Sequence, residues 1–209
     1  MTRKAFLFDY GGVFTPSPFA AIDALGVEIG AAPGQAIEII FGPYAEDTDH
    51  PWHRLERGEI KLAEAHEAIL ALGQAVGLET DIFRFFAAMS TGAGVREEFV
   101  DLVRDIRAAG HPTGMITNNV VEFREHWEKT LPLEELFDVV IDSSAAGIRK
   151  PDPSIFALAL EPLEIPAERA IFLDDFAGNI DAARSAGLQG VLVGDDFAPA
   201  IAETRLLID

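Results

Sequence analysis

A chain of 209 residues, 49% of them apolar, is long enough to bury one substantial core and a smaller second layer without crosslinks. It contains no cysteine, which excludes disulfides and thiolate metal sites and leaves hard oxygen ligands for any cation. A net charge of −19 argues against adhesion to nucleic acid or to an anionic membrane, since both depend on lysine and arginine meeting phosphate, and reads instead as a solvated surface. Asp9 interrupts the opening apolar run before a signal-peptide core can form, and no other run has the length of a membrane span. The expectation is a soluble protein of the reducing cytoplasm.

The first element is Ala5–Phe8, four apolar residues that read as a strand buried on both faces. Asp9 then lies at its carboxyl edge, where open parallel sheets gather ligands, and Gly11 and Gly12 let the backbone turn close to whatever Asp9 holds. Taken alone, this reads as a strand ending in a capping aspartate before a turn. From Pro16 to about Ser90 there are no convincing strand runs, and Leu62–Leu70 carries a helical period. Gly30–Gly34 and Glu46–Pro51 read as loops between these helices, and Ile82–Phe86 as buried packing.

Strands and helices then alternate. Glu97–Ile106 is an amphipathic helix feeding a strand that ends at Thr117-Asn118, and a helix follows through Glu122 and Trp127 to Lys129. Thr117 is either a helix cap or an anion ligand, because the same free N–H groups serve both. Phe137–Ile141 reads as a further buried strand. Lys150 stands in a loop stiffened by Pro151 and Pro153, with a helix opening at Pro153. Ala170–Leu173 is an apolar strand ending in Asp174-Asp175, adjacent carboxylates that repel each other unless a cation or donors neutralise them. A helix runs from there through Asn179 to Gly187, and Gly190–Val193 forms the last strand. The alternation implies an α/β fold, a doubly wound parallel sheet with a Rossmann-like core, in which Asp9, Thr117, Lys150 and Asp175 meet at one edge.

In order and spacing, Asp9 with its glycine turn, Thr117-Asn118, Lys150-Pro151, and Asp174-Asp175 with Asn179 and Gly187 resemble the four motifs of the haloacid dehalogenase-like hydrolase superfamily. The insertion containing Trp52–Ile60 looks like the small helical cap of the subfamily that includes many small-molecule phosphatases, and is similar to the phosphatase domain of some epoxide hydrolases. On this resemblance, residues 1–15 and 91–209 form the hydrolase core and residues 16–90 a small α-helical cap. The implied activity is Mg2+-dependent hydrolysis of a small phosphorylated metabolite, a small-molecule phosphate ester, through an aspartyl phosphate on Asp9.

The resemblance places Mg2+ on Asp9, the Gly11 carbonyl and Asp175, with Asp174 and Asn179 in support, and sets the Thr117 hydroxyl, the Asn118 amides and Lys150 on the phosphoryl oxygens. Gly11 departs from the usual pattern, in which a second aspartate protonates the leaving alcohol. His50 and His53 are candidate substitutes, against a plain structural role. His66, His111 and His126 carry no discernible chemistry. Two alternatives stay open: a metal-free haloacid dehalogenase, and a non-catalytic binding protein that keeps the fold without the acid.

Overall fold

The structure, a computed structural model, describes residues 3–90 and 94–208. Five parallel strands form one sheet in the order β3-β2-β1-β4-β5, with β1 Ala5–Phe8, β2 Thr113–Thr117, β3 Val139–Asp142, β4 Ala170–Asp174 and β5 Gln189–Leu192. The first strand of the chain is therefore the middle of the sheet, pairing Phe8 with Met115 on one side and with Leu173 on the other. An all-apolar strand suits that place, because both of its faces are covered.

Alternate residues of β1 go to opposite faces. Phe6 and Phe8 join Phe99, Ile106, Met115, Leu173 and Val191 in one buried cluster, while Ala5 and Leu7 join Ile116, Ile155, Phe156, Phe172 and Ile180 in another. Fully buried phenylalanines such as Phe6, Phe8 and Phe172 each contribute roughly 2–3 kcal/mol by leaving water.

The helices follow in chain order: α1 Pro18–Glu28, α2 Gln35–Ile40, α3 Pro51–Glu56, α4 Leu62–Gln74, α5 Ile82–Ser90, α6 Glu97–Ala108, α7 Arg124–Trp127, α8 Leu133–Leu136, α9 Ser143–Ala146, α10 Ser154–Leu163, α11 Ala177–Ser185 and α12 Ala198–Leu206. Helices α1 to α5 bury a cluster of their own, built from Ile22, Leu25, Ile40, Phe41, Trp52, Leu55, Ile69, Ile82 and Phe85. The segment leaves and re-enters the core at one place, since the Arg96 N–H donates to the Phe14 carbonyl at 2.8 Å and Arg96 Nη1 to the Gly12 carbonyl at 2.5 Å. The boundary expected between residues 90 and 91 adjoins residues outside the described set. Among the described residues no helix is long and apolar enough to cross a membrane.

Several elements differ from the sequence expectation. The helix expected through Glu122 to Lys129 is a 3-10 turn, Val121–Phe123, followed by the single turn of α7. Its two large side chains serve different neighbours: Phe123 meets Phe86 of α5 at 4.6 Å, and Trp127 packs on Tyr10 at 5.5 Å. β3 and β5 are only half covered, with Leu192 at 49% exposure, because both are sheet edges. α10 starts at Ser154, one residue beyond Pro153, which precedes it as its cap position.

Candidate active site

Each central strand ends in a polar side chain at the same sheet edge, as the topology requires of open α/β sheets. β1 delivers Asp9, β2 delivers Thr117 and Asn118, and β4 delivers Asp174 and Asp175. Lys150 enters from the loop before α10 and is completely buried, with Nζ at 2.7 Å from Asp9 Oδ1 and 2.7 Å from Asp174 Oδ2. Ligand atoms of Asp9, Asp174 and Asp175 lie within 4.8 Å of one another.

Three carboxylates and one ammonium in a buried place leave an excess of negative charge. Burial pushes the Asp9 carboxyl well above the usual carboxylate range; Lys150 opposes that shift, and Asp174 and Asp175 add to it. Asp175 is pushed up to about 7, first by burial and then by Asp174, against the Ser17 hydroxyl that donates to its Oδ2 at 2.5 Å. Burial disfavours the Lys150 ammonium, yet Asp174 and Asp9 hold its pKa above the ordinary lysine value. A hard divalent cation is the group such a donor set fits.

The three carboxylates are not equivalent. Asp174 is occupied by protein donors: Lys150 Nζ and Asn179 Nδ2 on Oδ2, the Phe176 N–H and Asn179 Nδ2 on Oδ1. Among the described residues the Asp9 carboxylate meets only Lys150, through Oδ1, and that of Asp175 only the Ser17 hydroxyl and its own backbone N–H, so both are less engaged than Asp174. The two glycines after Asp9 also separate. Gly12 has φ +73°, and a Cβ there would lie 2.0 Å from the Asp175 carboxylate, so the bare backbone is what lets Asp175 approach β1. At Gly11 a Cβ would meet only Pro18, at 3.7 Å, and φ is ordinary.

Thr117 is buried and caps no helix: the 3-10 turn that follows takes Val120 as its cap residue, with no side-chain bond. The side-chain amide of Asn118 is not free for a ligand as expected. Its Oδ1 accepts from the Lys150 N–H at 2.8 Å and its Nδ2 donates to the Lys150 carbonyl at 3.0 Å, because a buried loop backbone needs partners. The backbone N–H of Asn118 has no partner among the described residues.

The two candidate histidines are both engaged at Nδ1 within the insertion, His53 by Thr48 and His50 by the Trp52 N–H. His53 is buried, and burial, then Arg149 and His50, lower its pKa to about 3, so it is neutral at physiological pH. His50 is lowered by burial as well, and its Nδ1 is taken by the Trp52 N–H in capping α3.

Several residues around the site carried no local sequence signal. Phe19 and Tyr44 of the insertion and Phe176 of the core form a half-buried trio: Phe19 stacks on Phe176 at 5.1 Å, and Tyr44 meets Phe19 at 5.3 Å and Phe176 at 5.1 Å, both edge-on. The trio borders the carboxylates, since Phe176 follows Asp175 and Phe19 lies two residues beyond the Ser17 that binds it. Glu56 and Arg149 form a buried ion pair, Oε2 to Nε at 2.7 Å. A buried acid in α3 and an arginine beside Lys150 each look like ordinary surface charge until the two segments are seen to meet.

The chain matches the haloacid dehalogenase-like hydrolase family over residues 3–187. It is 31% identical to mouse acyl-CoA dehydrogenase family member 10 over 98% of its own length, but spans only 19% of that protein. It is 29% identical to the sesquiterpene phosphatase of Aspergillus oryzae, covering 99% of this chain and 97% of the fungal one. A HAD family enzyme from Bacteroides thetaiotaomicron, crystallised with magnesium and inorganic phosphate, has the same fold, with a TM-score of 0.62, 21% identity and coverage of 95% of this chain and 98% of the other.

Proposed function

Since the chain belongs to the haloacid dehalogenase-like hydrolases, we propose that it is a Mg2+-dependent phosphatase that hydrolyses a phosphate monoester through an aspartyl phosphate on Asp9. The observation that carries this reading is the cluster of Asp9, Asp174 and Asp175, held together with a single buried lysine. Attack on a halogenated carbon needs one carboxylate and no acidic neighbours. Attack on a phosphoryl dianion needs a cation between two anions, and this cluster is built to hold one.

In this reading an Asp9 oxygen forms the bond to phosphorus as the ester P–O bond breaks, and the departing oxygen takes a proton from solvent water. Water then attacks the phosphorus, the Asp9–phosphoryl bond breaks, and the proton this water gives up balances the one taken by the alcohol, leaving free carboxylate and inorganic phosphate. Asp9, Asp175 and the Gly11 carbonyl would hold a divalent cation, which when bound would supply charge neutralisation between the nucleophile and the phosphoryl oxygens. Lys150 holds Asp9 in line and offers a proton donor to a phosphoryl oxygen, joined by the Thr117 hydroxyl and the Asn118 backbone N–H. Asp174 and Asn179 keep Lys150 in place.

Helices α1 to α5 act as the cap over this edge. The leaving group emerges beside Phe19, Tyr44 and Phe176, whose faces favour an apolar or flat alcohol over a densely charged one. The terpenoid substrate class in the name of the fungal relative agrees with that chemistry.

The test is turnover of a panel of phosphate monoesters, aryl and terpenyl against sugar, with Mg2+ and with EDTA. Mg2+-dependent release of phosphate, lost in a folded Asp9→Asn variant, is expected, with the apolar esters preferred. Turnover that survives Asp9→Asn refutes the covalent mechanism, and halide release in EDTA would favour the dehalogenase instead.

A further inference from the structure

The buried polar network between α3 and the Lys150 loop centres on Glu56, and two of its members lead to Lys150: Arg149, its neighbour in the chain, and Asn118, which binds its backbone. Glu56, the last residue of α3, is 3% exposed and fully engaged. Its Oε1 accepts from Trp52 Nε1 at 2.8 Å and from the Tyr44 hydroxyl at 3.0 Å, and its Oε2 accepts from Arg149 Nε at 2.7 Å and lies 3.5 Å from Asn118 Nδ2. Arg149 is itself wholly buried, with Nη1 on the Glu46 carbonyl at 2.8 Å and its guanidinium over the Tyr44 ring at 4.7 Å. Arg149 adjoins Lys150 in the chain, and Asn118 grips both the N–H and the carbonyl of Lys150.

We propose that Glu56 is a positioning residue for Lys150: the cap, through the Glu56–Arg149 ion pair and the Glu56–Asn118 contact, fixes the backbone from which Lys150 reaches Asp9 and Asp174. The proposal deepens the phosphatase reading and rests on it for its kinetic consequence. Burying two charges costs several kcal/mol, and a hydrophobic pair of similar volume holds segments together as well or better. Plain docking of α3 on the core therefore does not call for this pair. A carboxylate does something an apolar residue cannot, because it specifies where the guanidinium and the amide lie, and with them the residue between. Lys150 has to span two carboxylates at 2.7 Å each, and a displacement of about 1 Å at such a site costs on the order of a hundredfold in rate.

The experiment is a double-mutant cycle between Glu56→Gln and Lys150→Ala on the full chain. The neutral amide introduced by Glu56→Gln is a poor partner for Arg149, while its oxygen can still accept from Trp52 and Tyr44. With an aryl phosphate, Glu56→Gln should lower kcat roughly ten- to a hundredfold with KM changed less than about threefold, and should lower it no further once Lys150 is replaced by alanine. Should Glu56→Gln fold poorly, Glu56→Gln combined with Arg149→Met removes both charges: stability should return while kcat stays low. Additive losses in the cycle, or kcat returning along with stability, would overturn the proposal and leave the pair a structural tie. Urea unfolding of the metal-free proteins gives the same cycle without catalysis, with non-additive midpoint shifts expected and additive ones counting against positioning. A wild-type protein that turns over no phosphate ester would sink the phosphatase reading, while the unfolding cycle would still decide whether Glu56 and Lys150 are coupled.

Discussion

At the scale of single residues, the two glycines after Asp9 make opposite predictions. Gly12→Ala drives a methyl into the Asp175 carboxylate at a positive φ, so it should raise the Mg2+ concentration needed for half-maximal activity at least tenfold, measured by metal titration. At Gly11 an added Cβ meets only Pro18, at 3.7 Å, so Gly11→Asp should fold. Because it supplies the absent general acid, it should flatten the dependence of log(kcat/KM) on leaving-group pKa; an unchanged steep slope in a folded variant would show that position 11 cannot deliver a proton. His53 yields a pH prediction. Its ordinary pKa of 6.5 falls to about 3 in the folded chain, so below 6.5 the unfolded state takes up a proton that the folded state refuses, and stability is lost as pH falls toward 3. At about pH 5 the loss is up to about 2 kcal/mol. In His53→Gln, the drop in urea midpoint between neutral and mildly acid pH should be smaller than in wild type. The placement of Asp9, Thr117, Asp174 and Asp175 at strand ends and of Lys150 in a stiffened loop was legible beforehand, from apolar runs that stop and from flanking prolines, while their proposed roles came from the resemblance of the ordered set. Glu56, Arg149 and the aromatic trio were not, since their roles arise only where the insertion meets the core.

Among elements, α3 and α9 approach closely at that seam. Gly58, just after α3, has φ +68°, and a Cβ there would lie 2.4 Å from the Ser144 carbonyl, while the Ser143 hydroxyl donates to the Glu56 carbonyl at 2.6 Å. Gly58→Ala must push the two helices apart or strain the turn, and should cost about 1–3 kcal/mol in urea unfolding. No change in midpoint would mean that the seam yields freely. The central strands were readable because β1, β2 and β4 are covered on both faces and their composition says so. The edge strands read less clearly, as one side of each lacks a strand and their residues mix exposed with buried positions. The change from the 3-10 turn to α7 was invisible, because Phe123 and Trp127 fit a helical period although they meet separate neighbours, Phe86 and Tyr10.

For the whole molecule, a net charge of −19 on 209 residues works against compaction. Added NaCl should therefore raise the urea midpoint, most steeply at low ionic strength where screening changes fastest. A midpoint indifferent to salt would mean that the exposed arginine pairs, such as Arg104–Glu135 and Arg205–Asp105, already offset the repulsion. The doubly wound topology was legible from the alternation of elements, and the place where the inserted helices rejoin was not, because hydrogen bonds far apart in sequence define it. Those bonds, from Arg96 to the carbonyls of Phe14 and Gly12, make the two ends of the insertion neighbours. Lengthening a loop between neighbouring ends costs little, about 0.6 kcal/mol for each doubling. With the insertion selecting the substrate and Asp9 as nucleophile, as proposed above, that part of the chain could be exchanged for another of different size while β1 stays where it is, and new specificities would be reached by replacing one contiguous segment of sequence.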